Sequence, residues 1–253
     1  MKVVIFSRYP RYDKLVWKEK ALRGLTGMGI KPAAIIYGNT GILSALKWGL
    51  KRYGVKGMFN KKRDLGKKRV GIEVKGYSRK LKSVARELNI PVYYIKNHNG
   101  ARCKKILKTI KPDLILLWGA GIIRKEILGI PKIGTLNGHY AILPKIRGMN
   151  VTEWSILLGE QVGVTIHFVT PGVDMGDILL IKQFNIEKGD TLDSIRYKCQ
   201  VTTSRGFIRV VSDINEGKHR PIKQHQNEGK QYFEMNSLLR NVVVRMLEST
   251  GPG

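Results

Sequence analysis

Three side chains in the stretch from 137 to 177 could do chemistry together: the amide of Asn137, the imidazole of His139 and the carboxylate of Asp174. These are the groups needed to move an acyl carbon onto an amine. The first two can stabilise the oxyanion of a tetrahedral carbon, and the third can relay the proton that the amine gives up. Asn137 and His139 stand two positions apart, so on an extended strand both side chains leave the same face. Asp174 follows His139 by 35 positions (174 − 139), beyond a predicted strand at 163–169, in a loop flanked by Gly172 and Gly176 that could fold back beside them. Taken singly, each has a plainer reading. A lone Asn or His is usually a turn former or a satisfied polar residue, and Asp174 between glycines could cap a turn.

Taken in order, the pattern is more specific. Asn137-Gly138-His139, then Leu143-Pro144-Lys145-Ile146-Arg147-Gly148, then Gly172-Val173-Asp174-Met175-Gly176-Asp177 resembles the folate-dependent formyltransferase family. That family includes methionyl-tRNA, glycinamide ribonucleotide and sugar-amine formyltransferases. The resemblance is dense over residues 112 to 185 and thin elsewhere. It implies 10-formyltetrahydrofolate as formyl donor and assigns catalysis to Asn137, His139 and Asp174, the positions that the chemistry alone selects. It also implies donor binding by the stretch Trp118, Gly119, Gly121, Ile122 and Ile123, whose main chain would meet the pterin ring, and by Leu143, Pro144 and Gly172 around the site. Pro144 would stiffen its loop and Arg147 would anchor it. Tyr140-Ala141 departs from the Pro or Gly, then Ser, that many relatives carry there, which touches loop shape and acceptor fit.

Other motifs point to less. Gly119-Ala120-Gly121-Ile122-Ile123-Arg124 fails as a dinucleotide fingerprint, because Arg124 stands where the third glycine belongs. No Walker-type phosphate loop is present. His167 alternates with Thr165 and Val169 along a strand and reads as structural. His219 and His225 offer no metal spacing with His139, and the reaction needs no metal. The two cysteines, Cys103 and Cys199, stand alone, so a reducing cytoplasm is the default compartment.

The elements that must position these residues are legible as an alternation. Short apolar runs at 2–6, 32–37, 91–95, 114–118 and 133–136 read as strands, with helical patterns at 15–28, 78–88 and 101–110 between them. Two more strands are predicted at 163–169 and 178–186, then a long helix at 191–214. Strand–helix alternation implies an α/β fold: a Rossmann-like, mostly parallel sheet with helices on both faces. Asn137 and His139 fall just past the strand at 133–136, at the carboxyl end, where such sheets gather ligands. From about 217 the character changes to an extended element around Gln231-Tyr232-Phe233 and a final helix at 237–248. The expected division is a catalytic domain at 1–215, interrupted by a basic insertion at 41–70, and a short C-terminal extension at 216–253.

A chain of 253 residues with 42% hydrophobic content can build a real core, and no stretch reads as a membrane span. The formal charge of +27 favours anionic partners: a nucleotide-linked sugar, tRNA, an anionic membrane surface or polyglutamylated folate. A lysine-rich proteome with solvated faces gives the same number. Ten of the basic residues fall within 41–69, interleaved with apolar ones. That pattern suits an inserted helix with solvated lysines, a peripheral membrane contact or a grip on nucleic acid.

Absences rank the branches. Phe6-Ser7-Arg8-Tyr9-Pro10-Arg11 lacks the glycines that glycinamide ribonucleotide formyltransferases use to cradle phosphate. Fewer than forty residues follow the long helix, too few for the C-terminal barrel of a methionyl-tRNA formyltransferase. The leading expectation is a compact sugar N-formyltransferase acting on a nucleotide-linked amino sugar, and the resemblance implies a homodimer, as such members often are. The alternatives are a methionyl-tRNA formyltransferase-like enzyme, a 10-formyltetrahydrofolate hydrolase and a non-catalytic basic RNA- or membrane-binding paralogue.

Overall fold

A computed structural model of the protein describes residues 1–9, 16–39, 80–225 and 227–249, so the basic segment 41–70 lies outside the described residues. Along the chain come β1 (Val3–Tyr9), α1 (Val16–Gly27), β2 (Ala34–Asn39), α2 (Leu81–Glu87), β3 (Val92–Ile95), α3 (Ala101–Ile110), β4 (Leu114–Trp118) and α4 (Lys125–Leu128). There follow β5 (Gly134–His139), β6 (Ile146–Gly148), α5 (Val151–Leu157), β7 (Gly163–Phe168), β8 (Ile178–Gln183), α6 (Leu192–Asn215), β9 (Lys230–Tyr232) and α7 (Ser237–Ser249). Seven strands form one sheet in the order β3-β2-β1-β4-β5-β7-β8, and β6 pairs with β9 in a separate two-stranded ribbon. The first five are parallel, and β7 pairs antiparallel with both β5 and β8.

The sheet is covered on both faces, which is why its strands read as continuous apolar runs rather than alternating ones. Val3 and Ile5 of β1 and Leu114, Leu116 and Trp118 of β4 face one core, with Ala21, Leu22 and Leu25 of α1 and Phe207, Val210 and Val211 of α6. Val4, Phe6, Ile115 and Leu117 face the other, with Cys103 and Leu107 of α3 and Ile127 of α4. Each fully buried large side chain of this kind contributes about 1.5–3 kcal/mol. The long helix α6 starts where Thr191 and Ser194 exchange hydrogen bonds in a capping box.

Three expectations need correcting. The strand expected at 133–136 runs through His139, because β7 pairs alongside it and extends the ladder: Asn137 sits opposite His167 and His139 opposite Thr165. Asn137 and His139 are therefore held within the strand rather than in the turn after it. The strand predicted at 178–186 ends at Gln183. The sequence reading also lacked α4, α5 and β6, of four, seven and three residues.

Gly138, between the two polar residues, faces the other side of the sheet, and α6 crosses directly beneath it. A Cβ there would lie 2.4 Å from Thr203 Cγ2 and 3.3 Å from Phe207. The helix seals one face of β5 and leaves the other for Asn137 and His139. Among the described residues no helix is long and apolar enough to cross a membrane.

Candidate active site

β5 supplies Asn137 and His139 on one face, and the antiparallel register brings His167 of β7 beside Asn137. The chain between β7 and β8 then folds back over them. Asp174 sits at its tip in the left-handed region, with φ 52°, and its carboxylate is held on three sides. Gly148 N–H donates to Oδ2 at 2.9 Å. His139 Nδ1 lies 3.4 Å from Oδ2, and His167 Nε2 lies 3.5 Å from Oδ1.

The ring nitrogens facing away are committed elsewhere. His139 Nε2 is 2.8 Å from the Ile146 carbonyl and His167 Nδ1 is 2.7 Å from the Phe168 carbonyl. A carbonyl only accepts, so both of these nitrogens carry a proton. In its neutral form His139 then presents a bare Nδ1 to Asp174, and His167 a bare Nε2. That Nε2 lies 3.3 Å from Asn137 Nδ2 and 3.5 Å from Asp174 Oδ1: bare, it accepts one of the two amide protons and leaves the other for a ligand, and protonated, it donates to the carboxylate.

Electrostatics follow from the packing. Burial pushes the His139 imidazole below the usual histidine range, although the Asp174 charge works the other way. Burial alone would raise the Asp174 carboxyl. The His167 hydrogen bond, the His139 charge and the Gly148 N–H outweigh it and hold the group at about 2. At neutral pH the centre is a carboxylate between two imidazoles, with His139 neutral and room for one more proton on the Nδ1–Oδ2 line. Such an arrangement can take a proton from an attacking group and return it to a departing one, while the second Asn137 N–H offers a fixed donor to a developing oxyanion.

The loop from 140 to 149 is threaded through the same contacts. Leu143, fully buried, donates its N–H to Thr165 Oγ1 at 3.1 Å, and that hydroxyl donates to the Ala141 carbonyl at 2.8 Å. The Leu143–Pro144 peptide is cis. β6 follows, and it serves both candidate side chains: its Ile146 carbonyl fixes His139 and its Gly148 N–H fixes Asp174. Gly148 is at φ 101°, and a Cβ on it would lie 2.0 Å from the Tyr232 carbonyl oxygen of β9. Gly172 is exposed two residues before Asp174, with Met175 packed against it.

The 118–123 stretch leaves β4 next to Asn137, which pairs with Leu117. The Trp118 indole is fully buried between Trp17 and Phe207, so the main chain is what this residue offers a ligand. Gly119 and Gly121, at φ 84° and 83°, are exposed and present bare backbone. Ile122 is 86% exposed, whereas Ile123 is buried in the core. Three carbonyls in this run are held by side chains from far away in sequence. Lys18 Nζ donates to Trp118 O at 2.8 Å, Arg8 Nε to Ala120 O at 3.1 Å, and Asn99 Nδ2 to Ile122 O at 3.0 Å.

His167, Lys18, Arg8, Asn99 and Gly148 all join the site in ways the sequence reading did not assign. The alternation at 165, 167 and 169 did carry a signal for His167, since it puts that residue on one strand face. The partner strand decided which face, and no local pattern reports that. Lys18 looks in sequence like any lysine of an amphipathic helix, yet it is fully buried.

A family model described as Formyl transferase matches residues 66–211. Methionyl-tRNA formyltransferase from Prochlorococcus marinus subsp. pastoris is 36% identical over 166 residues, covering 64% of this chain and 48% of that protein. The chain thus spans about half the length of the curated relatives it matches. The solved formyltransferase PseJ from Anoxybacillus kamchatkensis, in complex with UDP-4,6-dideoxy-4-formamido-L-AltNAc and tetrahydrofolate, is 26% identical with a TM-score of 0.51, covering 60% of this chain and 79% of its own. The N-formyltransferase from Helicobacter canadensis, solved with folinic acid and dTDP-3-aminofucose, is 17% identical with a TM-score of 0.62, covering 98% of this chain and 80% of its own, and shares the fold.

Proposed function

This chain belongs to the formyl transferase family, and on that footing we propose that it moves the formyl group of 10-formyltetrahydrofolate onto the amine of a nucleotide-linked amino sugar. The observation that carries the proposal is the Asp174 carboxylate set between His139 and His167 with Asn137 beside it.

The residues present suit the donor. Gly119 and Gly121 bring open main chain to the carboxyl end of β4, Ile122 adds an exposed apolar surface, and the carbonyls between them are already fixed. A flat heterocycle rich in donors and acceptors needs such an edge. In the proposal, Leu143, Pro144 and Gly172 form the edge of the donor site toward Asp174. The donor supplies the activated formyl carbon, and the chain supplies the rest. Asn137 directs its free N–H at the oxygen where negative charge develops, a contact worth about 2.7–4 kcal/mol in comparable acyl transfers. Asp174, with the Nδ1 of His139, takes the proton from the attacking amine and passes it to the departing folate nitrogen.

The acceptor assignment rests on chemistry and on the likeness to PseJ, whose complex holds a UDP-linked formamido sugar. The formal charge of +27 suits a diphosphate. A second reading, a formyltransferase acting on charged tRNA, is favoured by the 36% identity to methionyl-tRNA formyltransferase, and the same charge suits it. The unpaired, buried cysteines fit a reducing compartment, and we place the protein in the cytoplasm.

The test is tetrahydrofolate release from 10-formyltetrahydrofolate, followed by absorbance with no acceptor, with nucleotide-linked amino sugars and with charged initiator tRNA. Release that requires the amino sugar supports the proposal. Release with tRNA alone moves the protein to the second reading, and release at enzymatic rates with no acceptor makes it a hydrolase.

A further inference from the structure

The loop that carries Asp174 is gripped from a part of the chain outside the segment matched by the family model. Gln224 Nε2 donates to the Asp174 carbonyl at 3.1 Å and to the Gly176 carbonyl at 2.5 Å. Its Oε1 is buried and has no partner among the described residues, so the amide's bonding is directed at this one turn. The neighbouring residues lock the same region. Ile222 and Ile178 exchange both backbone hydrogen bonds at 2.8 Å. The Arg147 guanidinium donates to the His225 carbonyl at 3.3 Å. Further on, Lys230 N–H bonds the Lys145 carbonyl at 2.9 Å, and β9 runs parallel to β6 in register from Ile146↔Lys230 to Gly148↔Tyr232. The tail is packed backbone on backbone: a Cβ at Gly229 would lie 1.8 Å from the Pro144 carbonyl oxygen.

We propose that Gln224 is a positioning residue for the Asp174 carboxylate, and that the tail residues 222–225 and 227–232 complete the catalytic centre; this rests on the formyl-transfer reading above. Asp174 occupies a left-handed conformation, φ 52°, which aspartate visits at some cost and which local hydrogen bonds stabilise. An amide bonded to carbonyls two residues apart, on either side of the turn, pins that conformation. The carboxylate then stays within reach of its partners. The titratable groups facing it are His139 from β5 and His167 from β7, while β6 offers the neutral Gly148 N–H and the tail the neutral Gln224 amide.

The experiment uses the full chain with Gln224→Met, which keeps the length and shape but has no donor, and Gln224→Glu, whose carboxylate repels the two carbonyls. Three quantities are read: solvent exchange of the Gly148 amide, kcat against the KM for 10-formyltetrahydrofolate, and the acid limb of the kcat–pH profile. In both variants Gly148 exchange speeds up about tenfold or more and kcat falls about tenfold or more, with KM within about twofold. The acid limb also moves to lower pH, as the carboxylate that props up the His139 imidazole slips away from it. Exchange and kcat both within about twofold of wild type would overturn the proposal, and so would faster exchange with unchanged kcat. If the wild type transfers no formyl group to any acceptor, the functional reading fails. Faster Gly148 exchange would still support the grip of Gln224 on the loop, and unchanged exchange would overturn it.

Discussion

His139 and His167 approach Asp174 in the same manner from adjacent strands. Each gives one ring nitrogen to a main-chain carbonyl and turns the other to a different carboxylate oxygen, at 3.4 Å and 3.5 Å. Their rings stand edge to face, 6.1 Å apart. Main-chain carbonyls cannot donate, so the backbone fixes both tautomers and leaves the proton inventory of the centre to the side facing Asp174. One carboxylate and two imidazoles so arranged can store a proton without moving a heavy atom.

A pH dependence follows from the directions of the shifts. The His139 pKa lies below the ordinary histidine value of 6.5, and Asp174 is ionised far below that. Protonating His139 fills the vacancy that the attacking amine needs, so kcat rises with pH along an acid limb centred below 6.5. Asp174→Asn removes the charge that props the imidazole up, so His139 titrates lower still while kcat falls by about 10²–10⁴. Donor affinity changes little. An NMR titration of His139 in both proteins, beside the rate profiles, checks this; a His139 pKa that rises in the variant, or a rate within about tenfold of wild type, would remove Asp174 from the proposed role.

His167 tests a different link. Its Nε2 lies 3.3 Å from Asn137 Nδ2, and by accepting one amide proton it would orient the second N–H that the proposal aims at the developing oxyanion. His167→Phe keeps the ring in place but frees the amide to rotate. The expected loss is about 10–100-fold in kcat, smaller than for Asn137→Ala, with little change in the KM for the donor. The two substitutions combined should cost no more than Asn137→Ala alone, because they act through one contact. Additive losses in that double-mutant cycle would mean that His167 acts through Asp174 instead.

Much of this was readable in the sequence, and the division has a physical basis. The parallel strands show because both faces of the sheet are buried, which writes unbroken apolar runs at 114–118 and at the start of β1. Asn137, Gly138 and His139 show because a two-residue period is local. What stayed hidden depends on partners distant in the chain. β6 is three residues long and exists through its pairing with β9, more than eighty positions later. Lys18 is set apart from the solvated lysines of its helix only by the end of β4 that it reaches. The interleaved charges of 41–69 lie outside the described residues.

The held carbonyls at 118, 120 and 122 make a prediction about the donor rather than the chemistry. A Cβ on Gly121 would lie 1.8 Å from the Arg8 guanidinium, and its φ of 83° is costly for any other residue. Gly121→Ala must therefore displace Arg8, release the Ala120 carbonyl and shift the loop. The KM for 10-formyltetrahydrofolate should rise about tenfold or more, with kcat at saturation within about threefold. Asn99→Ala, which frees the Ile122 carbonyl, should act in the same direction and more weakly. Equal effects on kcat and KM in steady-state kinetics would place this loop at the reacting centre.

Docking of the last helix rests on one buried carboxylate. Glu153 of α5, 3% exposed at its side chain, receives Arg196 of α6 in a short ion pair and Arg240 of α7 at 3.4 Å, and Asn150 Nδ2 donates to the same oxygen at 2.8 Å. Val243 and Leu247 of α7 pack beside it into the cluster built around Ile156 and Ile195. Asn150 also accepts from Met235 N–H at 3.2 Å, joining this clamp to the tail that leads back to β9. Both guanidiniums keep partial access to water, so Glu153→Gln costs less than breaking a fully buried pair, about 2 kcal/mol. For a chain of this length that is roughly a 4–8 °C fall in Tm. Proteolysis should cut first near the start of α7, and activity should be lost on heating before the sheet melts, because β9 and the grip on Asp174 lie just upstream. Calorimetry paired with a thermal inactivation curve checks both. Coincident loss of activity and of the sheet would show instead that the tail and the central sheet unfold as one unit.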